Sequence, residues 1–302
     1  MAFIDSIKKR AKQNKKTIVL PETADMRTLE AAHKVLKDGI ADVILVGDKQ
    51  EILKMAEGLD LSGARFVDPY NCDKLNDYVS ILVELRKKKG MTPEEAKELL
   101  LTNVLYFGCI MVKAGDADGM VAGAVNSSAN VLRAALQILK TAPGTKLVSA
   151  FFLVVVPNCE MGEHGTFIFS DAGLNQFPDA RELAAIAESS AKSFELLVEA
   201  EPVVAMLSHS TKGSAHHPEI DKVIEACKIV NEECPYLKCD GELQSDAAIV
   251  PEVAASKAPG SDVAGKANVL IFPDLDAGNI GYKLVQRLAK ADAYGPITQG
   301  IA

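Results

Sequence analysis

Residues 147–170 read LVSAFFLVVVPNCEMGEHGTFIFS and contain two apolar runs, 148–156 and 166–169, joined by the polar link 157–165. Both runs are rich in Val, Leu and Phe without polar alternation, which is typical of strands buried on both faces of a sheet. The link is too short for a crossover helix. The stretch therefore predicts an antiparallel hairpin, and with it at least one mixed sheet.

Similar runs recur along the chain, and they predict further strands at 17–21, 42–46, 64–67, 119–123, 203–207 and 268–272. Segments of helical periodicity separate them, at 24–38, 73–89, 93–114, 129–141, 179–197, 218–233 and 278–291. This alternation predicts a layered α/β fold. The sequence TAPG at 141–144 is typical of a boundary between domains. We predict one α/β domain over 1–143, a second over 144–295, and a return of 296–302 toward the first.

Composition excludes several classes of function. The 302 residues carry 33 Lys and Arg against 41 Asp and Glu, a net charge of −8, which disfavours binding to nucleic acid or to a membrane surface. The longest apolar stretch, 147–156, is too short to span a bilayer. The basic N-terminus lacks the apolar core of a signal peptide, and the six cysteines form no C-x-x-C pair. We expect reduced thiols and a cytoplasmic protein.

One strand–loop–helix junction has the composition of an anion site. Residues 115–128 read GDADGMVAGAVNSS, and the helix that follows contains Arg133. Unpaired N–H groups at a helix start, the hydroxyls of Ser127 and Ser128, and a guanidinium one turn inside the helix suit a phosphate group. The alternative is that Ser128 only caps the helix and Arg133 is only a surface cation.

Two further junctions are polar but less specific. Residues 208–214, SHSTKGS, lack the order of a nucleotide P-loop, and the pattern favours a polar cleft wall or a simple loop. Residues 273–283, PDLDAGNIGYK, lack the dinucleotide fingerprint; Asp274 and Asp276 can cap a helix, and Lys283 and Arg287 can form a solvated cationic face. The chain also lacks H-E-x-x-H, G-x-S-x-G and any carboxylate set with metal spacing, so nothing indicates metal or triad hydrolysis.

Several long segments resemble the phosphate acetyltransferase family. They are FGCIMVKAGDADGMVAGA at 107–124, VLRAALQILKT at 131–141, VAMLSHSTKGSA at 204–215, DGELQSDAAIVPEV at 240–253 and AGKANVLIFPDLDAGNIGYKLVQRL at 264–288. The resemblance implies two α/β domains flanking a cleft, similar to isocitrate and isopropylmalate dehydrogenases, and a homodimer. It also implies transfer of an acetyl group between CoA and phosphate by thiolate attack in a ternary complex, with CoA a substrate and with no cofactor or metal.

The resemblance assigns residues as well. Arg133 matches the arginine that acts on the phosphoryl group, Ser127 and Ser128 match serines of the cleft, and Arg86 matches an arginine that binds CoA phosphates. Further substrate contacts are expected from Asn126, Asn130, Lys257, Asn279, Gly281, Tyr282, Lys283 and Arg287.

The family pattern continues beyond Gly300 with a Ser-Arg pair and an aspartate, which supply thiolate stabilisation and the base. We therefore expect a chain that ends at Ala302 to be impaired in catalysis and less stable in its first domain. Two alternatives stay open. One is phosphate butyryltransferase, and the other is a CoA-binding regulatory module similar to that of some malic enzymes.

Overall fold

The computed structural model describes residues 3–302. The chain divides into two compact units. The first unit ends at Lys140 and includes Ile301–Ala302, and the second unit is Thr141–Gly300. The division therefore falls at the start of the TAPG sequence.

The first unit has a four-stranded parallel sheet in the order β3-β2-β1-β4. Its strands are β1 Thr17–Leu20, β2 Asp42–Val46, β3 Arg65–Val67 and β4 Gly119–Met120. Its helices are α1 Phe3–Gln13, α2 Met26–Asp38, α3 Lys49–Met55, α4 Leu75–Arg86, α5 Pro93–Thr102, α6 Val104–Lys113 and α7 Ser128–Ile138, with 3-10 turns at Pro69–Asn71 and Lys87–Lys89.

Helices cover both faces of this sheet. Val19 of β1 packs with α4 to α7 on one face, whereas its neighbour Leu20 packs with α2 and α3 on the other. Successive strand residues point to opposite faces, so a strand covered on both sides must be apolar throughout. That requirement explains why the strands of this sheet appear in the sequence as continuous apolar runs.

The second unit has a six-stranded mixed sheet in the order β10-β5-β6-β9-β7-β8. Its strands are β5 Ser149–Val155, β6 Thr166–Ser170, β7 Val203–Leu207, β8 Lys238–Leu243, β9 Val269–Ile271 and β10 Asp292–Gln299. Its helices are α8 Met161–His164, α9 Ala180–Val198, α10 Pro218–Glu233, α11 Ser245–Ile249, α12 Pro251–Lys257 and α13 Leu275–Leu288. β5 and β6 are antiparallel, with Leu153 opposite Ile168, which confirms the predicted hairpin and the mixed α/β fold.

The sequence analysis did not predict strands β8 and β10, which are the two edge strands of the second sheet. β8 contains polar residues and a glycine, as an edge strand tolerates because only one side of it is paired. β10 pairs antiparallel with β5, and the register shifts between Tyr294 and Ile297, where Pro296 lies. A bulge on an edge strand accommodates a proline. Residues 296–300 thus belong to the second unit, and Ile301 is where the chain joins the first.

Several predicted elements have different ends. The segment 93–114 forms two helices, because Asn103 is extended and its side chain accepts from the N–H groups of Leu105 and Tyr106. The last predicted helix begins earlier, at Leu275, capped by Asp274. Strand 119–123 shortens to Gly119–Met120. None of the helices described over residues 3–302 has the length and apolar character needed to cross a membrane.

Candidate active site

The carboxyl ends of β1 and β4 meet at one edge of the first sheet, because the two strands are parallel neighbours. Glu22 follows β1, and the loop 123–126 follows β4. One oxygen of Glu22 accepts from the N–H groups of Gly123 and Ala124, both at 2.6 Å. The other accepts from the N–H groups of Val125 at 3.3 Å and Asn126 at 2.8 Å, and from the Asn126 side-chain amide at 2.8 Å. This contact set, the Glu22 cradle, shapes the loop that leads into α7.

Glu22 is 4% exposed. Burial by itself would raise the pKa of Glu22, but the hydrogen bonds from Asn126, Ala124 and Gly123 outweigh burial and hold the pKa below its usual value. The loop therefore binds the ionised carboxylate. The same hydrogen bonds explain why the predicted strand 119–123 is short. The Val121 N–H still donates to Val19 of β1, but the N–H groups of residues 123–126 donate to Glu22 instead of to a strand.

The first turn of α7 presents polar side chains to solvent. The Ser127 hydroxyl accepts from the Asn130 N–H at 3.3 Å and so caps the helix, whereas Ser128 is the first helical residue. Arg133 is exposed, and its guanidinium donates to the Asn130 side-chain oxygen at 3.1 Å. N–H groups at the start of a helix have no acceptor within the helix. Together with these side chains they can bind an anion.

Arg86 is the last residue of α4, which packs with α6 and α7 in one apolar cluster. Burial raises the pKa of Tyr106, and the positive charges of Arg86 and Arg133 act in the opposite direction. The Tyr106 hydroxyl donates to Gln137 at 2.9 Å. The Nε atom of Arg86 is buried without a hydrogen-bond partner. Arg86 is thus half-buried beside α6, not at a fully exposed rim as its place at a cationic helix end suggests.

The second polar junction is organised by Glu242, which is 2% exposed. Its carboxylate accepts from the Ser210 hydroxyl at 2.9 Å and from the Gly213 N–H at 2.7 Å. Lys257, a predicted substrate contact, donates to Gln244 and to Asp246, each at 2.9 Å. In this structure its charge is therefore balanced by an acidic neighbour.

The third polar junction rests on Asp171, which follows β6 and is 2% exposed. Its carboxylate accepts from the N–H groups of Gly173 at 2.8 Å, Leu174 at 2.9 Å and Asn175 at 3.2 Å, and from the Asn175 side-chain amide at 2.7 Å. The N–H of Ala150 on β5 donates to it at 3.2 Å. This is the Asp171 cradle.

Helix α13 packs directly on that loop. The Asn279 side chain donates to the Ala172 carbonyl at 3.2 Å. Tyr282 stacks on Phe152 with ring centroids 3.8 Å apart, and a Cβ on Gly281 would lie 3.1 Å from the Phe272 ring. These three predicted substrate contacts thus have packing partners within the unit. Lys283 and Arg287 are exposed on the same helix.

The sequence analysis missed all three buried carboxylates. For Glu22 and Asp171 a signal was present, since each acid comes at the end of an apolar strand and a glycine-containing loop meets it. For Glu22 the loop lies about a hundred residues away in the chain, and no local pattern in the sequence identifies it. Among residues 3–302, no group of three or more His, Cys, Asp or Glu side chains is arranged to hold a metal ion.

Comparison with known proteins identifies the class. The family model described as Phosphate acetyl/butaryl transferase matches residues 2–302. The chain is 62% identical to the phosphate acetyltransferase of Acetivibrio thermocellus, over 100% of this chain and 91% of that protein. It is 59% identical to that of Thermoanaerobacterium thermosaccharolyticum, over 100% and 92%.

A solved structure agrees with this result. The crystal structure of a phosphotransacetylase from Streptococcus pyogenes superposes with a TM-score of 0.90 at 41% identity, over 99% of this chain and 90% of that one. The protein is therefore an enzyme of the acyltransferase class. It belongs to the phosphate acetyl/butaryl transferase family, which confirms the resemblance found in the sequence.

Proposed function

We propose that this enzyme transfers an acetyl group between CoA and phosphate, so that acetyl-CoA and phosphate give acetyl phosphate and CoA. The observation that carries the proposal is the 62% identity to a phosphate acetyltransferase over the whole chain. The polar start of α7, with Arg133 exposed there, supports it as a place for the phosphoryl group.

In the proposed direct step both substrates are bound together. The CoA thiolate attacks the carbonyl carbon of acetyl phosphate, a C–S bond forms, the C–O bond to phosphate breaks, and phosphate leaves with the electron pair. Negative charge grows on the departing phosphate, and donors fixed in advance around that charge lower the barrier. We assign this role to Arg133 with Ser127 and Ser128. The exchange of one acyl acceptor for another needs no redox or electrophilic cofactor.

Arg86 is proposed to bind CoA. A half-buried guanidinium whose Nε has no hydrogen-bond partner is suited to a phosphate group. Asn126 and Asn130 at the start of α7 are proposed as further substrate contacts. The other predicted contacts, Lys257, Asn279, Gly281, Tyr282, Lys283 and Arg287, lie in the second unit and stay predictions from the family resemblance. Arg86→Ala should raise the KM for CoA more than the KM for acetyl phosphate, and less so with dephospho-CoA. An equal rise for both substrates contradicts this assignment.

The test of the function is release of CoA thiol from acetyl-CoA and phosphate, followed with a thiol reagent, with and without EDTA. Activity that persists in EDTA supports the metal-free step. Higher kcat/KM with butyryl-CoA than with acetyl-CoA would favour phosphate butyryltransferase. Saturable CoA binding without acetyl phosphate formation would favour a regulatory CoA-binding module.

We also propose a cytoplasmic homodimer. Six free cysteines support a reducing compartment. Ile280, Leu284 and Leu288 lie four residues apart on α13 and are 57, 54 and 80% exposed, an apolar stripe that a second copy of the chain can cover. Light scattering of the wild type and of Leu284→Glu tests this. A monomeric wild type, or an unchanged dimer in the variant, contradicts the proposed interface.

A further inference from the structure

Glu22 is the most heavily hydrogen-bonded carboxylate near α7, yet it does not point at the exposed start of the helix. Its two oxygens are taken up by the N–H groups of Gly123, Ala124, Val125 and Asn126 and by the Asn126 amide. The next residue is Ser127, the cap of α7. A carboxylate that holds four successive N–H groups fixes the direction in which the chain enters the helix.

We infer that Glu22 is a positioning residue for phosphate, acting through the 123–126 loop on the placement of Ser127, Ser128 and Arg133. This inference rests on the proposed function. Arg27 strengthens the same arrangement, because its guanidinium donates to the Ala124 carbonyl at 2.6 Å. Glu22 thus holds N–H groups of the loop and Arg27 holds one of its carbonyls.

An amide cannot replace the carboxylate of Glu22, because both carboxylate oxygens accept hydrogen bonds. In Glu22→Gln one oxygen becomes an NH2 group, which faces N–H donors and leaves them without an acceptor. Either the pair at Gly123 and Ala124 or the set at Val125 and Asn126 then loses its partner, so the loop must shift. Glu22→Asp keeps both acceptors and the charge but is shorter by one methylene group.

A control of the same kind exists in the first unit. Asp116 is a carboxylate with 15% of its side chain exposed that bonds Lys74 and accepts from the Tyr78 hydroxyl at 2.6 Å. Asp116 precedes β4, and so it lies at the opposite end of the strands from the loop that follows β4. Asp116→Asn therefore removes a hydrogen-bonded, partly buried charge of the same unit without touching the entry to α7.

The experiment compares wild type, Glu22→Gln, Glu22→Asp and Asp116→Asn in both directions, with thermal midpoints for each. The KM for phosphate is measured with acetyl-CoA as the second substrate, and the KM for CoA with acetyl phosphate. We expect the KM for phosphate to rise about tenfold in Glu22→Gln, to rise less in Glu22→Asp, and to stay near wild type in Asp116→Asn, with the KM for CoA changed less than twofold throughout. A general loss of stability would lower the thermal midpoint of all three variants, but it would not raise the KM for phosphate selectively in the Glu22 variants.

Equal phosphate KM values in Glu22→Gln and Asp116→Asn, or parallel rises for phosphate and CoA, would overturn the inference. If Glu22→Gln does not fold, the same comparison is made with Glu22→Asp, and an unchanged phosphate KM there overturns it too. Wild-type protein without acyl transfer would instead contradict the proposed function, so the two failures are distinguishable.

Discussion

The Glu22 cradle and the Asp171 cradle are the same device in two different settings. In each, a buried carboxylate that follows an apolar strand accepts from several consecutive N–H groups of a glycine-containing loop. In the first unit the loop runs into a helix whose first turn is exposed. In the second unit the loop is covered by α13, through Gly278 and Asn279.

The difference shows what separates a candidate site from a packing contact. Both loops are ordered by a carboxylate, so order alone does not distinguish them. At α7, Ser128 and Arg133 remain available to a ligand. At the start of α13, by contrast, Gly278 packs against the backbone of residues 171–172 and the Asn279 side chain donates to the Ala172 carbonyl. Four experiments test this difference between the two helix starts.

The largest effect is expected at Gly278. A Cβ there would lie 2.4 Å from the Asp171 carbonyl oxygen and 3.2 Å from the Ala172 Cα, so backbone must move. We expect Gly278→Ala to lower the free energy of unfolding by about 3 kcal/mol, the upper range for overpacking. Urea denaturation measures it.

Gly123→Ala is the matched change in the first cradle. Its φ is +107°, which strains any other residue, but a Cβ would meet nothing closer than 4.0 Å. We expect a loss of about 1–2 kcal/mol. A larger loss at Gly123 than at Gly278 would mean that α13 is not packed on the Asp171 loop as described.

The second experiment removes the charge at the exposed helix start. Arg133→Ala should lower kcat about tenfold or more, because the guanidinium is proposed to stabilise charge that grows in transfer. Arg133→Lys should also be impaired, since a point charge does not replace a planar fork. Steady-state kinetics decide. Arg181, an exposed arginine in the first turn of α9, is the control, and an equal loss in Arg181→Ala would remove Arg133 from the site.

The third experiment separates the cap from the ligand group at Ser127. Ser127→Ala should cost about 1 kcal/mol of unfolding free energy, as should Thr92→Ala at the start of α5, because each loses a helix cap. Ser127→Asp keeps a cap but adds a negative charge. It should leave the thermal midpoint near wild type and raise the KM for phosphate, and a phosphate KM like that of wild type would place phosphate elsewhere.

The smallest effect is a dependence of stability on pH. The pKa of Glu22 is lowered in the folded protein. Above about pH 4.5 the carboxylate is ionised in both the folded and the unfolded state, so ionised Glu22 makes its full contribution to the free energy of unfolding. As the pH falls below 4.5 toward the lowered value, the unfolded chain takes up the proton first and the contribution is lost. The midpoint difference between wild type and Glu22→Gln should therefore shrink from pH 7 to pH 4. A constant difference would show that the charge of Glu22 does not contribute.

Much of the fold could be predicted from local pattern. Strands 42–46 and 203–207 and helix 218–233 have the predicted ends, because a strand buried on both faces must be apolar and an amphipathic helix must keep its period. At the start of α5, Thr92 forms a full capping box with Glu95 and Pro93 is the first helical residue, as the local sequence TPEE favours. The edge strands β8 and β10 were missed, because an edge strand is paired on one side only and tolerates glycine, proline and charge.

Local sequence pattern was enough to predict the α/β class, the hairpin, the family and the polar start of α7, since each shows in residues close together in the chain. The tertiary structure was needed to show which carboxylate holds which loop. Glu22 and Gly123 are separated by 101 residues and meet because β1 and β4 are parallel neighbours. It also decided that Tyr282 stacks on Phe152. Such contacts follow from strand order, and strand order is set by the packing of the whole sheet rather than by any local pattern.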